Sequence, residues 1–349
     1  MCASWGRPRC ARTLAWCGMP DGVPATVGLL GGGVIGGGWA ARFALNGADV
    51  VLFDPDPEAE RKVGDVLDNA RTAVNRLVRA TLPAEGRVTV VRTVTEAAEA
   101  ADFIQESAPE RLDLKIALLT EASRAARPDV VIASSTSGLL PSLLQEGMTG
   151  PERLVVGHPF NPVYLLPLVE VVPGRLTSAE ATENARAIYT AVGMRPLVLG
   201  REIDGFVADR LLEALWREAL WLVNDGVATM EQVDDAIRFG AGLRWSFMGT
   251  MLTYRIAGGE GGMRHFMEQF GPALQWPWTK LMDVPELTDD LLDTMERQSD
   301  EQAAGASIRD LERLRDACLV SVMHGLAEQD YGAGAVLREY ERGLGLTTD

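Results

Sequence analysis

The residues best suited to chemistry in this chain are His158 and Glu170. Gly157-His158-Pro159-Phe160-Asn161-Pro162 closes one short apolar run, and Leu168-Val169-Glu170-Val171 lies in the next. The chain has three histidines, His158, His265 and His324, so imidazole chemistry has few places to sit. A lone histidine after a strand is commonly an ordinary hydrogen-bonding residue. A glutamate inside the apolar stretch Leu165–Val172 is different, because an ionised carboxylate buried without a partner is costly. If the intervening loop returns the chain alongside itself, the two residues meet. The carboxylate then fixes the imidazole tautomer and stabilises imidazolium, which equips the pair as a general base for alcohol oxidation. His265, without an obvious carboxylate partner in sequence, and His324, on a predicted C-terminal helix, read as structural.

Alcohol oxidation needs a hydride acceptor. Gly31-Gly32-Gly33-Val34-Ile35-Gly36 follows a predicted strand and opens a predicted helix, the context that gives G-x-G-x-x-G its meaning. Gly31 makes the tight turn, Gly33 lets the backbone approach a pyrophosphate, and Gly36 lets helix and strand pack closely. The phosphates would rest on the free N–H groups of the helix start, at Val34 and Ile35. Asp54, 18 residues past Gly36, ends the next predicted strand, where a carboxylate can accept hydrogen bonds from adenosine ribose hydroxyls. No basic residue follows it until Arg61, so a 2′-phosphate would meet unfavourable charge. NAD is favoured over NADP, while FAD uses a similar fingerprint.

These groups must be held by regular elements. Apolar runs at Thr26–Leu30, Asp49–Phe53, Arg87–Val91, Asp102–Gln105 and Val130–Ala133 alternate with helical patterns at Trp39–Leu45, Pro57–Ala80 and Arg111–Ala126. That alternation predicts a parallel sheet with helical crossovers. Leu154–Val156 and Leu168–Val172 read as further strands around a proline-rich turn, followed by a helix through Val192 and a strand at Leu197–Leu199. Beyond Gly205 the pattern turns helical: Ala208–Asn224, Met230–Phe239, Met263–Phe270, Glu286–Gln298 and Ile308–Ala327. The expected fold class is α/β, a Rossmann-type dinucleotide-binding domain followed by an all-helical C-terminal domain. The expected boundaries are a disordered extension over 1–22, a cofactor domain over 23–200, a helical substrate and dimerisation domain over 201–332, and a tail over 333–349. Met19 reads as an alternative start of translation.

Composition narrows the function classes. The 349 residues carry a formal charge of −16, and residues 281–349 alone hold 16 acidic against 6 basic side chains. Such a balance argues against nucleic acid and anionic lipid as partners. Residues 22–41 are uncharged, but eight glycines in that window make a poor membrane-spanning helix. Three of the four cysteines, Cys2, Cys10 and Cys17, lie in the first 17 residues, and none are spaced as a metal site. No metal is expected, and the compartment expected is a reducing cytoplasm.

Taken together, the glycine turn, Ser135-Thr136-Ser137, His158-Pro-Phe-Asn-Pro with Glu170, and Asp204-Gly205-Phe206-Val207 resemble the 3-hydroxyacyl-CoA dehydrogenase family. The resemblance runs from about Ala25 to Gly332. It implies that His158 takes the proton of a C3 hydroxyl, that Glu170 pairs with it, and that Ser137 hydrogen-bonds the reacting oxygen. It also implies that Glu110 and Lys115 lie near the cofactor, and that the protein is a homodimer through its helical domain. On residue pattern alone, Glu110 and Lys115 pass for surface charges on a helix.

Two positions depart from the family pattern. Ser135 stands where asparagine is usual, and Asp209 replaces the asparagine before Arg210. A charged Asp209 suits a cationic substrate better than a thioester with phosphates. An aromatic-rich stretch follows: Trp216, Trp221, Arg244-Trp245-Ser246-Phe247-Met248, Tyr254-Arg255 and Trp276-Pro277-Trp278. Aromatic faces bind quaternary ammonium groups, and Arg244 or Arg255 could take a carboxylate. Core or interface packing is the plainer use of such rings. Trp245-Ser-Phe-Met-Gly-Thr, Leu252-Thr-Tyr-Arg-Ile-Ala-Gly-Gly-Glu and Gly271-Pro-Ala-Leu are similar to a branch of the family acting on a 3-hydroxy acid with a C4 trimethylammonium group. Asp209, Arg244, Trp245, Phe247 and Tyr254 are therefore the expected substrate residues. Another small 3-hydroxy acid (gulonate, 3-hydroxybutyrate), a 3-hydroxyacyl-CoA substrate, or a non-catalytic crystallin-like protein are the alternative readings.

Overall fold

The structure is a computed structural model that describes residues 22–246, 249–258, 260, 262–270, 288–291, 293–294, 297, 304 and 306–345. All but Gly22 of the extension expected over 1–22 lies outside these residues, as do Trp276, Trp278 and part of the helix expected at Glu286–Gln298.

Eight strands form one sheet: β1 (Thr26–Leu30), β2 (Asp49–Phe53), β3 (Val88–Val91), β4 (Phe103–Glu106), β5 (Val131–Ser134), β6 (Leu154–Pro159), β7 (Leu168–Pro173) and β8 (Arg195–Val198). Their order is β3-β2-β1-β4-β5-β6-β7-β8. Strand direction is parallel through β6, whereas β7 runs antiparallel to β6 and β8 parallel to β7. The order reverses between β1 and β4, the crevice where doubly wound sheets bind ligands beyond the carboxyl ends of their strands.

Alternating residues of the central strands serve two cores. Val27, Leu29, Phe103, Ala133 and Val155 face Trp39, Phe43 and Tyr189 on one side. Leu30, Ile104, Ile132 and Val156 face Leu119, Leu144 and Phe206 on the other. Burial on both faces is why these strands read as continuous apolar runs. Helices α1 (Val34–Leu45), α2 (Ala59–Leu77), α3 (Val94–Glu99) and α4 (Leu112–Ala125) make the crossovers. Helix α3, not among the helices expected from the sequence, has 6 residues and a start set by a reciprocal Thr93–Glu96 capping box.

After a short α5 (Pro141–Leu144) and α6 (Ala179–Ala191), the chain becomes helical at α7 (Ala208–Asn224). The helix expected over Met230–Phe239 ends as α8 at Ala236 and continues as a wider π turn, where Gly240 leaves helical dihedrals. Then come α9 (Gly242–Trp245), α10 (Thr250–Ala257) and α11 (Gly262–Phe270). Among the described residues no helix is long and apolar enough to cross a membrane.

The tail expected over 333–349 is a helix through most of its length. Gly332–Gly343 folds back on the helix Ile308–Glu328 and buries Leu337 against the cofactor-domain core. His324 Nε2 lies 2.7 Å from the Leu77 carbonyl, and Tyr340 donates to Asn46 at 2.7 Å. The error came from local polarity. Leu337 and Tyr340 gain apolar partners from α1 and α2, far earlier in the chain, as well as from the helix Ile308–Glu328.

Candidate active site

The antiparallel β6–β7 register places His158 directly opposite Glu170, so both side chains leave the sheet on one face. Nδ1 of His158 lies 3.0 Å from Oε2 of Glu170, and both residues are buried. The other carboxylate oxygen, Oε1, accepts from the N–H groups of Val207 and Ala208, each at 3.0 Å. These amides sit at the start of α7, where the helix dipole favours a negative charge. Gly205 and Phe206 form the turn that aims them, with φ of 66° and 46°. A buried phenylalanine in the left-handed region is a strained conformation of the kind that gathers at functional sites. Burial pushes the Glu170 carboxyl upward. The bonds from His158, Ala208 and Val207 outweigh it, and the net shift is below the ordinary value.

An ionised Glu170 can only accept, so Nδ1 carries the proton and the Nε2 lone pair points away. On that far side lies Asp209, in the first turn of α7, its Oδ2 3.7 Å from Nε2. Burial, chiefly, raises the Asp209 carboxyl above its usual range. A protonated His158 opposes the rise, and Glu170, Glu213 and Glu110 add to it. The imidazole is thus held between two carboxylates, one locked behind it and one a quarter exposed in front.

The glycine turn fits a dinucleotide on steric grounds. Gly31 has φ of 105°, and a Cβ there would meet the Ser107 carbonyl at 2.7 Å. At Gly36 it would lie 1.9 Å from the Gly31 carbonyl oxygen, whereas at Gly33 it would meet nothing within 4 Å. Open space therefore lies over Gly33, at the start of α1, where Val34 and Ile35 present N–H groups outside the helical ladder. Asp54 Oδ2 accepts from Gly32 N–H at 2.6 Å, which ties the end of β2 to the turn.

The remaining expected residues fall in different places. Glu110 accepts from the Thr136 hydroxyl and from the N–H of Ser137 at 3.1 Å, so it shapes the loop after β5. Ser137 is exposed beside it. Lys115, expected near the cofactor, is fully buried, bonded to Glu106 at 2.8 Å and to the Ala108 carbonyl at 2.9 Å, with Glu110 at 3.5 Å. Glu106 was not among the expected site residues. Its signal was a carboxylate directly after Phe103-Ile104-Gln105, which needed a buried cation.

Of the expected substrate residues, only Asp209 approaches His158 among the described residues. Trp245 and Tyr254 are each about two-fifths exposed, Arg244 is exposed, and Phe247 lies outside the described residues. Tyr254 stacks on Phe266 at 4.5 Å. Among the described residues no hydrogen bond, ion pair or ring contact joins Arg244, Trp245 or Tyr254 to His158 or Asp209. Helices α9–α11 pack chiefly on their own neighbours.

A dinucleotide cradle at the switch point of a doubly wound sheet, with a carboxylate-held histidine on the same sheet, defines the class of NAD-dependent alcohol dehydrogenases. Residues 26–203 match the NAD binding domain of 3-hydroxyacyl-CoA dehydrogenase and residues 205–289 match its C-terminal domain. The chain belongs to the 3-hydroxyacyl-CoA dehydrogenase family, and NAD is its cofactor. It is 57% identical over 320 residues to an L-carnitine dehydrogenase of Mesorhizobium japonicum, covering 90% of this chain and 88% of that one. An L-carnitine dehydrogenase of Pseudomonas putida is 58% identical over 314 residues, covering 87% and 98%. An L-carnitine dehydrogenase/betainyl-CoA thioesterase of Agrobacterium fabrum is 56% identical, and the match spans 64% of its length. Among solved structures, a 5-formyl-3-hydroxy-2-methylpyridine 4-carboxylic acid 5-dehydrogenase superposes with a TM-score of 0.72 at 27% identity, over 86% of this chain and 98% of that one.

Proposed function

We propose that the protein oxidises the C3 hydroxyl of L-carnitine to 3-dehydrocarnitine. The observation that carries this reading is the placement of His158 between Glu170 and Asp209, together with the named relatives at 56–58% identity. Nε2 of His158 takes the hydroxyl proton while Glu170 holds the ring in the tautomer that leaves Nε2 free. NAD, when bound, accepts the hydride from C3. A secondary alcohol and NAD⁺ thereby become a ketone, NADH and one proton. The Ser137 hydroxyl donates to the reacting oxygen as it becomes a carbonyl. Asp209 supplies the counter-charge for the trimethylammonium group. Gly31, Gly33, Val34, Ile35, Gly36 and Asp54 hold the dinucleotide, and Glu110 shapes the loop that carries Ser137. Lys115 acts behind them, pairing with Glu106.

The cofactor domain ends near residue 200 and substrate binding is completed by the helices that follow. The second domain leaves Leu211, Trp216, Phe239, Met251 and Ile256 more than half exposed in a single chain, a surface that suits a homodimer. Pairing two copies through it could also complete the aromatic part of the substrate site. The compartment that fits a thiol-poor fold is the cytoplasm.

The test is NADH formation from L-carnitine, D-carnitine and 3-hydroxybutyryl-CoA, measured side by side. L-Carnitine is expected to be the fastest substrate. A preference for the thioester, or for uncharged 3-hydroxy acids, would overturn the reading.

A further inference from the structure

Ser135, one of the two departures from the family pattern, is the hub of a hydroxyl chain that runs to the sheet's switch point. Its Oγ lies 3.0 Å from Nε1 of Trp39, 2.8 Å from Nε2 of Gln105 and 2.9 Å from Oγ of Ser107. The Gln105 amide is oriented by its other contacts. Nε2 also donates to the Gly157 carbonyl at 3.2 Å, and Oε1 accepts from the Tyr189 hydroxyl at 2.6 Å. Burial raises the Tyr189 phenol well above its ordinary pKa, so it remains a donor.

An indole N–H and an amide N–H can only donate, so both acceptor positions of Ser135 are filled and its own proton goes to Ser107. Ser107 thus accepts from Ser135 and keeps one O–H that meets no acceptor among the described residues. The chain has a direction, from Trp39 and Gln105 through Ser135 to Ser107, and it ends on a donor.

That donor sits where a dinucleotide must pass. Ser107 follows β4, its N–H bonded to the Leu30 carbonyl at 2.7 Å, and a Cβ at Gly36 would lie 3.5 Å from its own. Across the sheet edge the order β2-β1-β4 places Asp54, then the glycine turn, then Ser107. If the turn holds the pyrophosphate and Asp54 the adenosine ribose, the β4 side receives the nicotinamide half. His158, on β6, lies two strands beyond. We propose that Ser107 is a cofactor-positioning residue, whose hydroxyl donates to an oxygen on the nicotinamide half of NAD. This rests on the reading that the glycine turn holds NAD.

The experiment is calorimetric titration of the full-length protein with NADH and with ADP, which lacks the nicotinamide half. Ser107→Ala is expected to weaken NADH about 3- to 10-fold, the usual worth of one neutral hydrogen bond, and to leave ADP unchanged. Ser107→Cys, which fills the same space with a weaker donor, is expected to show the same selectivity with a smaller loss. Unchanged NADH affinity in Ser107→Ala would overturn the proposal, as would equal losses for NADH and ADP, which would mark a distorted turn. If the wild type binds ADP but not NADH, or neither, the NAD reading of the turn fails and the proposal falls with it.

Discussion

Oδ2 of Asp209 lies 3.7 Å from Nε2 of His158, on the opposite side of the ring from Glu170. That separation is too long for a direct hydrogen bond, and it leaves both atoms facing one small volume. A carboxylate there is costly in the free protein, because burial raises its pKa and three further glutamates lie near it. A substrate cation beside it would relieve that cost.

Asp209→Asn keeps the volume and removes the charge. The KM for L-carnitine is expected to rise about 5- to 30-fold, which corresponds to 1–2 kcal/mol, with kcat changed less. Uncharged 3-hydroxybutyrate should gain relative to L-carnitine in kcat/KM. Because the raised pKa marks the ionised form as the disfavoured one, the variant should melt at the same temperature or higher at pH 7. Steady-state kinetics on both substrates and a thermal melt check these outcomes.

His158→Ala removes the proton acceptor but no part of the glycine turn. Turnover is expected to fall about 10²- to 10⁴-fold, the usual contribution of a general base. NADH binding, followed by titration, should stay within about 2-fold of wild type, since a residue two strands away contributes little to it.

Glu170→Gln tests the partner and carries a pH signature. The folded pKa of Glu170 is depressed. Its ionisation therefore adds stability that is fully present above the ordinary carboxyl range and is lost as pH falls through the lowered folded value. Wild type should be more stable than the variant at pH 7, and the gap should close as pH falls below about 4. Melting temperatures of both proteins between pH 7 and pH 3 would show it.

Gly33→Ala and Gly36→Ala separate cofactor binding from folding. A methyl group at Gly36 would collide with the Gly31 carbonyl, so that variant should lose both stability and NADH binding. A methyl group at Gly33 meets no atom within 4 Å. Its melting temperature should match wild type while NADH affinity drops at least about 10-fold, because only the bound pyrophosphate would occupy that space.

What the sequence determined by itself is local. The glycine turn, its flanking strand and helix, and Asp54 lie within 29 residues, and backbone sterics with strand periodicity suffice to recognise them. The identities of His158 and Glu170 were also readable, because a carboxylate in an apolar strand demands a partner. Their meeting was conditional on the chain's return, and the antiparallel register of β6 and β7 supplied it. The rest was decided by tertiary structure. Lys115 and Glu106 pair in the interior, Ser135 collects donors from Trp39 and Gln105, and Gly332–Gly343 becomes a helix covering the sheet domain. Asp209 meets His158 because α7 begins at the bonds its first amides make to Glu170. Lys115 and Glu106 are only 9 residues apart and meet because α4 packs back on β4, while the others join groups from distant parts of the chain. Local propensity carries no record of such contacts.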